Sequence, residues 1–306
     1  MSEKIAVVTG ATGFIGRSLT IRLLELNYKV YGIGRTEEKF KEFEQYKNFV
    51  KIVLDFEQYS DISKIINENI DFFFHAAYRG VNGPKKSDYS VQLQNLETSC
   101  VTVIQAAKLN CKRYIYIGSV DEYEIAKLPD KVFCVPTHSR IYAAIKYSSE
   151  VIGKTLAYDN KMSYVGVLLT LTFGEGNKTN ILPNIIIKNA IHSLPTDLIS
   201  GNDYFDMIYI EEALLGIMAA AEKGKSYESY FVGHEELRTF KDIVLKCSSI
   251  IDNRGILNFG KYPDPSFSID YEQIDRSKLF RDTGYRCSYP LEQAIKQTKN
   301  WIERLS

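Results

Sequence analysis

Two side chains on one predicted helix have the types and the spacing to exchange a proton with a substrate. Tyr142 and Lys146 are four residues apart in the segment YAAIK, so on a helix they lie on one face, about one turn apart. A phenol ordinarily has a pKa of about 10, and a neighbouring ammonium favours its ionised form. Ser119, at the end of a predicted strand, adds a hydroxyl that can hydrogen bond a carbonyl oxygen. Together these groups are suited to proton transfer at a carbonyl or hydroxyl group.

The N-terminal segment IAVVTGATGFIG is typical of a phosphate-binding turn between a strand and a helix. A buried strand is predicted over Ile5–Thr9 and an amphipathic helix over residues 15–26. Gly10 permits the tight turn, Gly13 lets the backbone approach a ligand, and Gly16 lets the helix lie close to the sheet. The start of the helix then offers unpaired N–H groups and a positive dipole end, which suit a pyrophosphate. This pattern predicts a dinucleotide site.

Strand-like and helical segments alternate through the first half of the chain. Further strands are predicted over residues 29–33, 50–54, 71–76, 114–118 and 165–169. Further helices are predicted over residues 62–67, 91–109 and 140–158. This alternation predicts an α/β fold with a Rossmann-type doubly wound parallel sheet and helices on both faces. Ligands of such sheets bind at the carboxyl ends of the strands.

Beyond about residue 170, glycine and proline break the chain into shorter pieces. Helices are predicted there over residues 182–189, 211–223, 240–251 and 290–305. We therefore expect a dinucleotide-binding Rossmann domain at residues 1–170 and a smaller, mixed α/β substrate lobe at residues 171–306. The lobe should close over the ligand edge of the sheet, and some of its segments should return to the Rossmann domain.

The composition argues against several classes of protein. The chain has 306 residues, and its 38 basic and 38 acidic side chains balance, so no overall field attracts nucleic acid or an anionic membrane. The longest apolar stretches are only as long as strands, and the first strand follows Met1 too closely for a secretory signal, which predicts a cytoplasmic protein. The cysteines and histidines show no metal-ligand spacing, so we expect free thiols and no metal site. These residues are Cys100, Cys111, Cys134, Cys247, Cys287, His75, His138, His192 and His234.

Seven short motifs follow one another in an order that extends over nearly the whole chain. They are TGATGFIG at residues 9–16, Asp55-Phe56, His75-Ala76-Ala77, Asn95 with Thr98, Ser119 with Tyr142 and Lys146, MIYIEE at residues 207–212, and DRSK at residues 275–278 followed by TGY at residues 283–285. With these motifs the chain resembles the extended short-chain dehydrogenase/reductases of the NAD-dependent epimerase/dehydratase family. Members of that family mostly act on nucleotide sugars.

The resemblance implies roles for individual residues. Ser119, Tyr142 and Lys146 would form the catalytic triad, and Asn95 would support it. Relatives usually dimerise through the helices that carry Asn95 and Tyr142, so a homodimer is implied. The residues that we expect around the cofactor are Gly10, Thr12, Gly13, Phe14, Ile15, Gly16, Arg35, Asp55, Phe56, Ala76, Ala77, Asn95, Tyr142 and Lys146. The candidates for substrate contacts are Arg79, Asp121 and Thr172.

Some of these residues also have simpler explanations. Asp55 can begin a turn and Asn95 can cap a helix. We interpret His75 as a packed or hydrogen-bonded histidine rather than a catalyst. Glu211 and Glu212 suit the first turn of a helix, where the dipole favours acidic side chains, and we assign them no chemistry.

The substrate half departs from the family pattern. Many relatives carry an arginine in an LRxxNxxG segment, but residues 168–174 read LLTLTFG. The Arg-Asp that commonly precedes FIYVDD is Phe205-Asp206 in this chain. Arginines expected near a diphosphate are therefore missing, and a smaller or non-nucleotide carbonyl substrate stays open. Three other arginines are candidates to replace them: Arg79, Arg238 and Arg276.

The tip of the second strand indicates which nicotinamide coenzyme is used. NAD enzymes usually place an acid there to hold the ribose 2′-hydroxyl. This chain has Gly34 at that position, followed by Arg35, whose guanidinium suits a 2′-phosphate. Glu37 and Glu38 nearby weaken the argument. We predict NADP, with NAD as the alternative.

A preference for NADPH favours net reduction, because epimerases and 4,6-dehydratases of the family retain NAD and return its hydride within one turnover. Dehydratases typically place an Asp and then a Glu or Lys directly after the hydroxyl residue, but here Val120 follows Ser119, and Asp121 and Glu122 are shifted by one position. Valine cannot protonate a leaving hydroxyl. The resemblance therefore points to a 4-ketoreductase of a nucleotide-linked 4-keto-6-deoxy sugar, in which NADPH provides the hydride and Tyr142 the proton.

Two other functions stay open from the sequence. The first is a nucleotide-sugar epimerase that uses the same triad with tightly bound NAD. The second is a regulator that binds a dinucleotide without turnover, although such proteins often lack the Tyr–Lys pair. The sequence does not choose the nucleotide base, the sugar or the stereochemistry of the product.

Overall fold

The computed structural model of the protein describes residues 3–126, 139–251, 256–264 and 269–305. Cys134 and His138 lie outside the described residues. In the described ranges the strands are β1 (Ile5–Thr9), β2 (Lys29–Gly34), β3 (Phe49–Val53), β4 (Phe72–His75), β5 (Arg113–Ser119), β6 (Ser163–Leu169), β7 (Leu171–Phe173), β8 (Thr196–Asp197), β9 (Tyr204–Phe205), β10 (Met207–Tyr209), β11 (Ser229–Val232), β12 (Arg238–Thr239) and β13 (Leu257–Asn258). The helices are α1 (Phe14–Glu25), α2 (Ile62–Ile65), α3 (Tyr89–Lys108), α4 (Glu122–Ala126), α5 (Ser139–Asp159), α6 (Leu182–Ile191), α7 (Ile210–Lys223), α8 (Phe240–Ile250), α9 (Lys278–Thr283) and α10 (Leu291–Glu303).

Seven of these strands form one parallel sheet in the order β11-β6-β5-β4-β1-β2-β3. The order reverses at β1, which has β2 and β3 on one side and β4, β5 and β6 on the other. Open parallel sheets bind ligands at such a switch, outside the carboxyl ends of the strands. The predicted Rossmann-type doubly wound sheet is confirmed.

Side chains alternate between two apolar cores, one on each face of the sheet. In β1, Val8 packs in the core that contains Leu19 of α1, whereas Val7 packs in the core that contains Val103 of α3. Helices α1 and α7 pack together on the first face, and α3 and α5 pack together on the second. Because both faces are covered, the strands are nearly continuous apolar runs, which is what made them visible in the sequence.

The differences from the prediction are local. The helix predicted over residues 62–67 is reduced to α2, one turn long, after a 3₁₀ turn at Phe56–Asp61. Helix α4 was not predicted, because its five residues are too short to show a helical period. Strand β11, from the second half of the chain, forms the edge of the large sheet beside β6. The remaining strands form three two-stranded sheets, β10-β7, β12-β9 and β13-β8.

Within the parts of the chain that the structure describes, none of the helices has both the length and the apolar character of a membrane span.

Candidate active site

The turn between β1 and α1 has no room for side chains at two of its glycines. Gly10 has a φ of 70°, and a Cβ atom on it would lie 2.8 Å from the backbone nitrogen of Ala77. A Cβ atom on Gly16 would overlap the carbonyl oxygen of Gly10, so α1 lies directly against the end of β1. Gly13 is the N-cap of α1 and offers no side chain to its first N–H groups. These groups are therefore available to an anion.

The tip of β2 is packed closely against the same turn. A Cβ atom on Gly34 would lie 3.0 Å from Oγ1 of Thr12 and 2.9 Å from the ring of Phe40. An acidic side chain at position 34 would therefore require both neighbours to move. Phe14 and Ile15 begin α1 and pack against the core below the turn.

Arg35 follows Gly34 and is exposed. Of the two acids that weakened the argument from Arg35, Glu37 pairs with Lys51 at 2.6 Å, and this pair lowers the pKa of Glu37. Glu38 is exposed. The cationic character of the β2 tip is therefore only partly offset by its neighbours.

Tyr142 and Lys146 lie one turn apart in α5, and both are buried. Ser119 is the last residue of β5, and its hydroxyl is a hydrogen-bond partner of the Tyr142 phenol. The backbone N–H of Asp121 donates to Oγ of Ser119 at 3.2 Å. Because this contact uses a lone pair, the Ser119 hydroxyl keeps its proton to donate, and the Tyr142 phenol is its acceptor. The structure thus brings the three predicted residues together at the carboxyl end of β5.

The pKa of Tyr142 differs from the sequence expectation. Burial raises it well above 10, and the negative charge of Asp121 acts in the same direction, opposed by the hydrogen bond from Ser119. We expected the Lys146 ammonium to lower this pKa, but that ammonium points to the backbone: its Nζ donates to the carbonyl oxygen of Ile117 at 2.8 Å. Tyr142 is therefore a protonated phenol at neutral pH.

Lys146 is enclosed by aromatic rings as well as by the backbone. Its Nζ lies 4.2 Å from the ring centroid of Tyr78 and 5.1 Å from that of Tyr116. Burial lowers the pKa of Lys146 to about 8, although Glu122 and Asp121 act to raise it. Cation–π contacts and one carbonyl hold the ammonium, and they leave it further N–H bonds to donate.

Two buried carboxyl groups, those of Glu122 and Glu150, lie next to Ser119 and Lys146. Oε1 of Glu122 accepts the backbone N–H of Ser119 at 2.9 Å. Glu150, one turn after Lys146 in α5, pairs with Lys154 at 2.5 Å and accepts the Ser229 hydroxyl. Burial and the neighbouring Glu150 raise the pKa of Glu122 well above 4.5. Burial thus favours the neutral form of the Glu122 carboxyl group, which fixes the backbone of Ser119.

His75 is a structural histidine, as we interpreted it. Its Nδ1 lies 2.8 Å from Oγ1 of Thr9 and its Nε2 lies 3.2 Å from Oγ of Ser99. Ser99 donates its own proton to the carbonyl of Asn95, so Nε2 of His75 carries the proton and donates. Burial lowers the pKa of His75 to about 3, which keeps the ring neutral.

Asn95 holds the loop that follows β4. Its Oδ1 accepts the N–H of Arg79 at 2.8 Å and its Nδ2 donates to the carbonyl of the same residue, also at 2.8 Å. The sequence placed Asn95 next to the site and offered a helix cap as the simpler explanation. The observed role is to fix a loop, because Asp88 caps α3 instead.

Two side chains of this loop reach the triad and were missed in the sequence. The ring of Tyr78 meets that of Tyr142 edge to face at 5.4 Å between centroids. Nζ of Lys86 lies 4.6 Å from the ring centroid of Tyr142 and 3.1 Å from Oδ2 of Asp121. No local pattern marks either residue, since both approach α5 through the loop rather than through a regular element.

Asp55 and Phe56 begin the turn after β3, and Arg79 covers both. The Arg79 guanidinium pairs with Asp55, lies 3.2 Å from Glu57, and stacks on the ring of Phe56 at 4.2 Å. Burial acts to raise the pKa of Asp55, but the backbone N–H of Phe56 and the Arg79 guanidinium lower it overall. Arg79, a candidate for substrate contacts, is thus held beside two of the residues expected around the cofactor.

The substrate half contains a second buried polar cluster. Asp206 accepts the backbone N–H of His234 at 3.0 Å and its ring nitrogen at 2.8 Å. The other ring nitrogen of His234 lies 3.4 Å from Glu212. Burial acts to lower the pKa of His234, but the two carboxylates raise it to about 9. Glu211 and Glu212 do lie in the first turn of α7, and Glu212 in addition accepts the backbone N–H of Tyr289 at 2.6 Å.

The other candidate substrate residues lie near this cluster or in the neighbouring strands. Arg238 in β12 is directly opposite Phe205 in β9, and it lies 3.5 Å from Asp206. Its Nε is buried without a hydrogen-bond partner among the described residues. Arg276 donates to the backbone carbonyl of Glu235. Thr172 in β7 is buried, and its hydroxyl donates to the carbonyl of Thr170 at 3.1 Å.

The carboxyl ends of β1, β2, β4 and β5 form one edge, which we call the cofactor edge. Its inner end consists of Ser119, Tyr142 and Lys146, and its outer end consists of Arg35, Asp55 and Arg79. Between the two ends lie the glycine turn and the uncapped start of α1. Ala76 and Ala77 follow β4 there, and the N–H of Ala77 donates to Thr9 at 3.3 Å. These residues fit a dinucleotide, because a Cβ-free cradle faces its pyrophosphate and a buried ammonium lies at the inner end.

Comparison with known proteins agrees with this geometry. The family model described as "NAD dependent epimerase/dehydratase family" matches residues 6–233. The chain is 26% identical over 273 residues to CDP-abequose synthase of Yersinia pseudotuberculosis, covering 87% of this chain and 92% of that protein. It is 20% identical over 306 residues to dTDP-4-dehydro-6-deoxyglucose reductase of Escherichia coli, covering 94% of each protein.

Among solved structures, the fold is similar to that of UDP-N-acetylglucosamine 4-epimerase from Methanobrevibacter ruminantium M1, determined in complex with UDP-N-acetylmuramic acid. The TM-score is 0.83 at 21% identity, and the match covers 100% of both chains. At this identity the likeness concerns the fold alone.

Proposed function

Because this chain belongs to the NAD-dependent epimerase/dehydratase family, we propose that it reduces the keto group of a nucleotide-linked 4-keto-6-deoxy sugar with NADPH. Two of its relatives, named as a CDP-abequose synthase and a dTDP-4-dehydro-6-deoxyglucose reductase, support the nucleotide-sugar substrate class. The observation that carries the choice of a reductase is the tip of β2, where a side chain at Gly34 would require Thr12 and Phe40 to move and where Arg35 is exposed.

The inner end of the cofactor edge supplies the acid that such a reduction needs. When bound, reduced nicotinamide provides the hydride that the carbonyl carbon accepts. Tyr142 gives its proton to the carbonyl oxygen, and its burial supports this role because it keeps the phenol protonated at neutral pH. Ser119 hydrogen bonds the same oxygen. Lys146 holds the nicotinamide ribose with the N–H bonds that Ile117 does not use.

Arg35 supports NADPH over NADH at the outer end. A guanidinium forms strong, charge-assisted hydrogen bonds with a phosphate dianion, whereas a ribose hydroxyl offers no charge to it. The pairing of Glu37 with Lys51 removes part of the competing negative charge. An acid that would select NAD is absent from position 34, where a side chain would require Thr12 and Phe40 to move.

Arg238 is the best of the three candidates for the diphosphate of the substrate. Directly opposed residues of antiparallel strands place their side chains on the same face, so Arg238 lies on the face of Phe205, where relatives commonly carry the arginine. A buried Nε without a partner among the described residues does not distinguish it, since Arg79 and Arg276 share that feature. All three guanidinium groups also have a partner, so the register of β12 against β9 is what favours Arg238.

We also propose that the protein is a homodimer that pairs through α3 and α5. The outer faces of these two neighbouring helices expose apolar side chains, which water would otherwise solvate at a cost. They are Leu93 and Ile104 of α3 and Val151 and Ile152 of α5. Light scattering of the purified protein at two concentrations tests whether it is a dimer.

The experiment that tests the function is a screen of 4-keto-6-deoxy sugars linked to dTDP, CDP, GDP and UDP. Purified protein is mixed with each compound and NADPH, and the loss of nicotinamide absorbance is followed. We expect turnover of at least one compound, and faster turnover with NADPH than with NADH. If NADPH binds but none of the panel is reduced, the sugar assignment is wrong.

The same preparation distinguishes the epimerase. A nucleotide-sugar epimerase retains its NAD through purification, so released nucleotide would be found after denaturation. A reductase exchanges its cofactor freely. Tightly held NAD together with no consumption of NADPH would replace our proposal with the epimerase.

A further inference from the structure

The loop between β4 and α3 places a lysine beside Tyr142, at the solvent-accessible side of the inner end. Lys86 is the last residue of a 3₁₀ turn at Pro84–Lys86. Its Nζ lies 4.6 Å from the ring centroid of Tyr142 and pairs with Asp121 at 3.1 Å. About a third of each side chain of the pair is exposed, 32% for Lys86 and 27% for Asp121. The pair is therefore accessible to a molecule that reaches the Tyr142 phenol.

The position of Lys86 is fixed by a buried glutamine. Nε2 of Gln92, in α3, donates to the carbonyl of Lys85 at 2.9 Å and to that of Gly80 at 3.1 Å, and its Oε1 accepts the hydroxyl of Tyr78 at 2.6 Å. Gly80 itself has no room for a Cβ atom beside the Lys85 backbone. The loop is thus closed by buried hydrogen bonds, so Lys86 is presented in a defined place.

Asp121 is equally tied to the reacting centre. Its backbone N–H donates to Oγ of Ser119, while its side chain faces Lys86. The Ser119 and Tyr142 hydroxyls define where a carbonyl oxygen would be bound. The Lys86–Asp121 pair flanks both, because Lys86 lies against the Tyr142 ring and Asp121 contacts Ser119.

We propose that Lys86 and Asp121 together bind the hydroxyl on the carbon next to the reacting carbonyl, and so select an α-hydroxy ketone over its deoxy analogue. This inference rests on the proposed function. An ammonium only donates hydrogen bonds and a carboxylate only accepts them, whereas a sugar hydroxyl does both. One hydroxyl inserted between the two groups satisfies each of them with a charge-assisted hydrogen bond.

The opposite charges of Lys86 and Asp121 also explain why the pair is tolerated beside the catalytic phenol of Tyr142. The Asp121 carboxylate alone acts to raise the pKa of Tyr142, which makes the phenol a weaker acid. The Lys86 ammonium lies beside that carboxylate and over the same ring, so it counteracts this effect. Loss of Lys86 therefore has a general effect on proton donation as well as a specific effect on substrate choice, and the test must separate them.

The experiment compares two substrates with two enzymes. A nucleotide-linked 4-keto-6-deoxy sugar with a 3-hydroxyl and its matched 3-deoxy analogue are reduced by the wild-type protein and by Lys86→Met. We expect the wild type to prefer the hydroxylated substrate in kcat/KM by about 10- to 100-fold, and Lys86→Met to lose most of that preference. Lys85→Met, on the exposed neighbour in the same turn, should keep it. NADPH binding, followed by nicotinamide fluorescence, should be unchanged in both variants.

The ratio of kcat/KM for the two substrates distinguishes recognition of the hydroxyl from a merely structural role of Lys86. A misfolded loop or a weaker Tyr142 acid would lower kcat/KM for both substrates by the same factor and leave the preference intact. That result, or a wild-type enzyme that does not distinguish the two substrates, overturns the role of Lys86. If the wild type reduces neither compound nor any other keto sugar, the proposed function itself has failed.

Discussion

The two ends of the cofactor edge are built from different kinds of contact. At the inner end, Tyr142 and Lys146 are 5% and 6% exposed, and backbone groups supply partners, such as the Ile117 carbonyl for Lys146. At the outer end, Arg35 is exposed, and Asp55, whose side chain is 44% exposed, pairs with Arg79 and accepts the backbone N–H of Phe56. Burial sets the pKa values at the inner end, whereas solvent screens the charges at the outer end.

Because of this difference, we expect changes at the two ends to affect function and stability to different extents. A change at the inner end should affect the chemistry strongly, because each group there is held in one place and in one protonation state. A change at the outer end should alter which cofactor binds and have little effect on folding, since exposed ion pairs contribute only about 0–1 kcal/mol. The four predictions below test this contrast, beginning with the largest effect.

Tyr142→Phe removes the proton donor and keeps the ring that packs against Tyr78 and Lys86. We expect kcat to fall by about 1000-fold or more, because general acid catalysis contributes about 10²- to 10⁴-fold. NADPH binding should persist, since the glycine turn and the outer end are unchanged. Stopped-flow absorbance at saturating substrate measures the first quantity and nicotinamide fluorescence the second. A variant that reduces substrate at close to the wild-type rate would remove Tyr142 from the mechanism.

Gly16→Ala tests the turn that joins the two ends. The added Cβ atom would overlap the carbonyl of Gly10, so α1 must shift away from β1. We expect the free energy of unfolding to fall by about 2–3 kcal/mol, the usual cost of overpacking a close contact. The matched control is Gly13→Ala, where the nearest atom to the new Cβ is 3.3 Å away and φ is −87°. Urea denaturation of both variants without cofactor gives the comparison, and equal stabilities would show that the turn is not closely packed.

The sequence predicted the elements that depend on local pattern. The glycine spacing at residues 10–16 and the Tyr–Lys pair of α5 each lie within one turn or one helix, so their geometry follows from the backbone alone. The apolar runs predicted the central strands because strands covered on both faces lack alternation. The short helix α4 has no such pattern, although its Glu122 holds the backbone of Ser119.

The sequence could not predict what tertiary packing decides. It placed Lys146 beside Tyr142 but could not show that the phenol is buried or that the ammonium contacts the Ile117 carbonyl, so it assigned the wrong direction to the pKa of Tyr142. Lys86 reaches that ring through a loop closed by Gln92, and no spacing in the chain reveals this approach. The sequence left three arginines as candidates for the diphosphate, and only the register of β12 against β9 distinguishes Arg238.

Arg35→Ala tests the outer end. We expect the preference for NADPH over NADH, measured as the ratio of the two dissociation constants, to fall by about 10- to 100-fold, the contribution of a charge-assisted contact to phosphate. The midpoint of thermal unfolding should stay unchanged, because Arg35 is exposed. Lys39→Ala, which removes another exposed cation of the same segment, serves as the control and should keep the preference. An unchanged ratio in Arg35→Ala would mean that the outer end does not choose the cofactor.

The pH dependence of kcat/KM gives the smallest effect and the sharpest contrast between the ends. In the proposed mechanism Lys146 must be charged to hold the ribose, and its pKa of about 8 means that the charged form predominates below pH 8 and is lost above it. We therefore expect a plateau below pH 8 and a tenfold fall in kcat/KM for each further pH unit. Tyr142 does not produce this decline, because burial raises its pKa well above 10 and keeps it protonated throughout. In Lys146→Arg, whose guanidinium stays charged, the decline should move above pH 10, whereas in Arg35→Ala it should stay near pH 8. A decline near pH 8 that persists in Lys146→Arg would have to come from another group, and burial would then not be what sets the charge at the inner end.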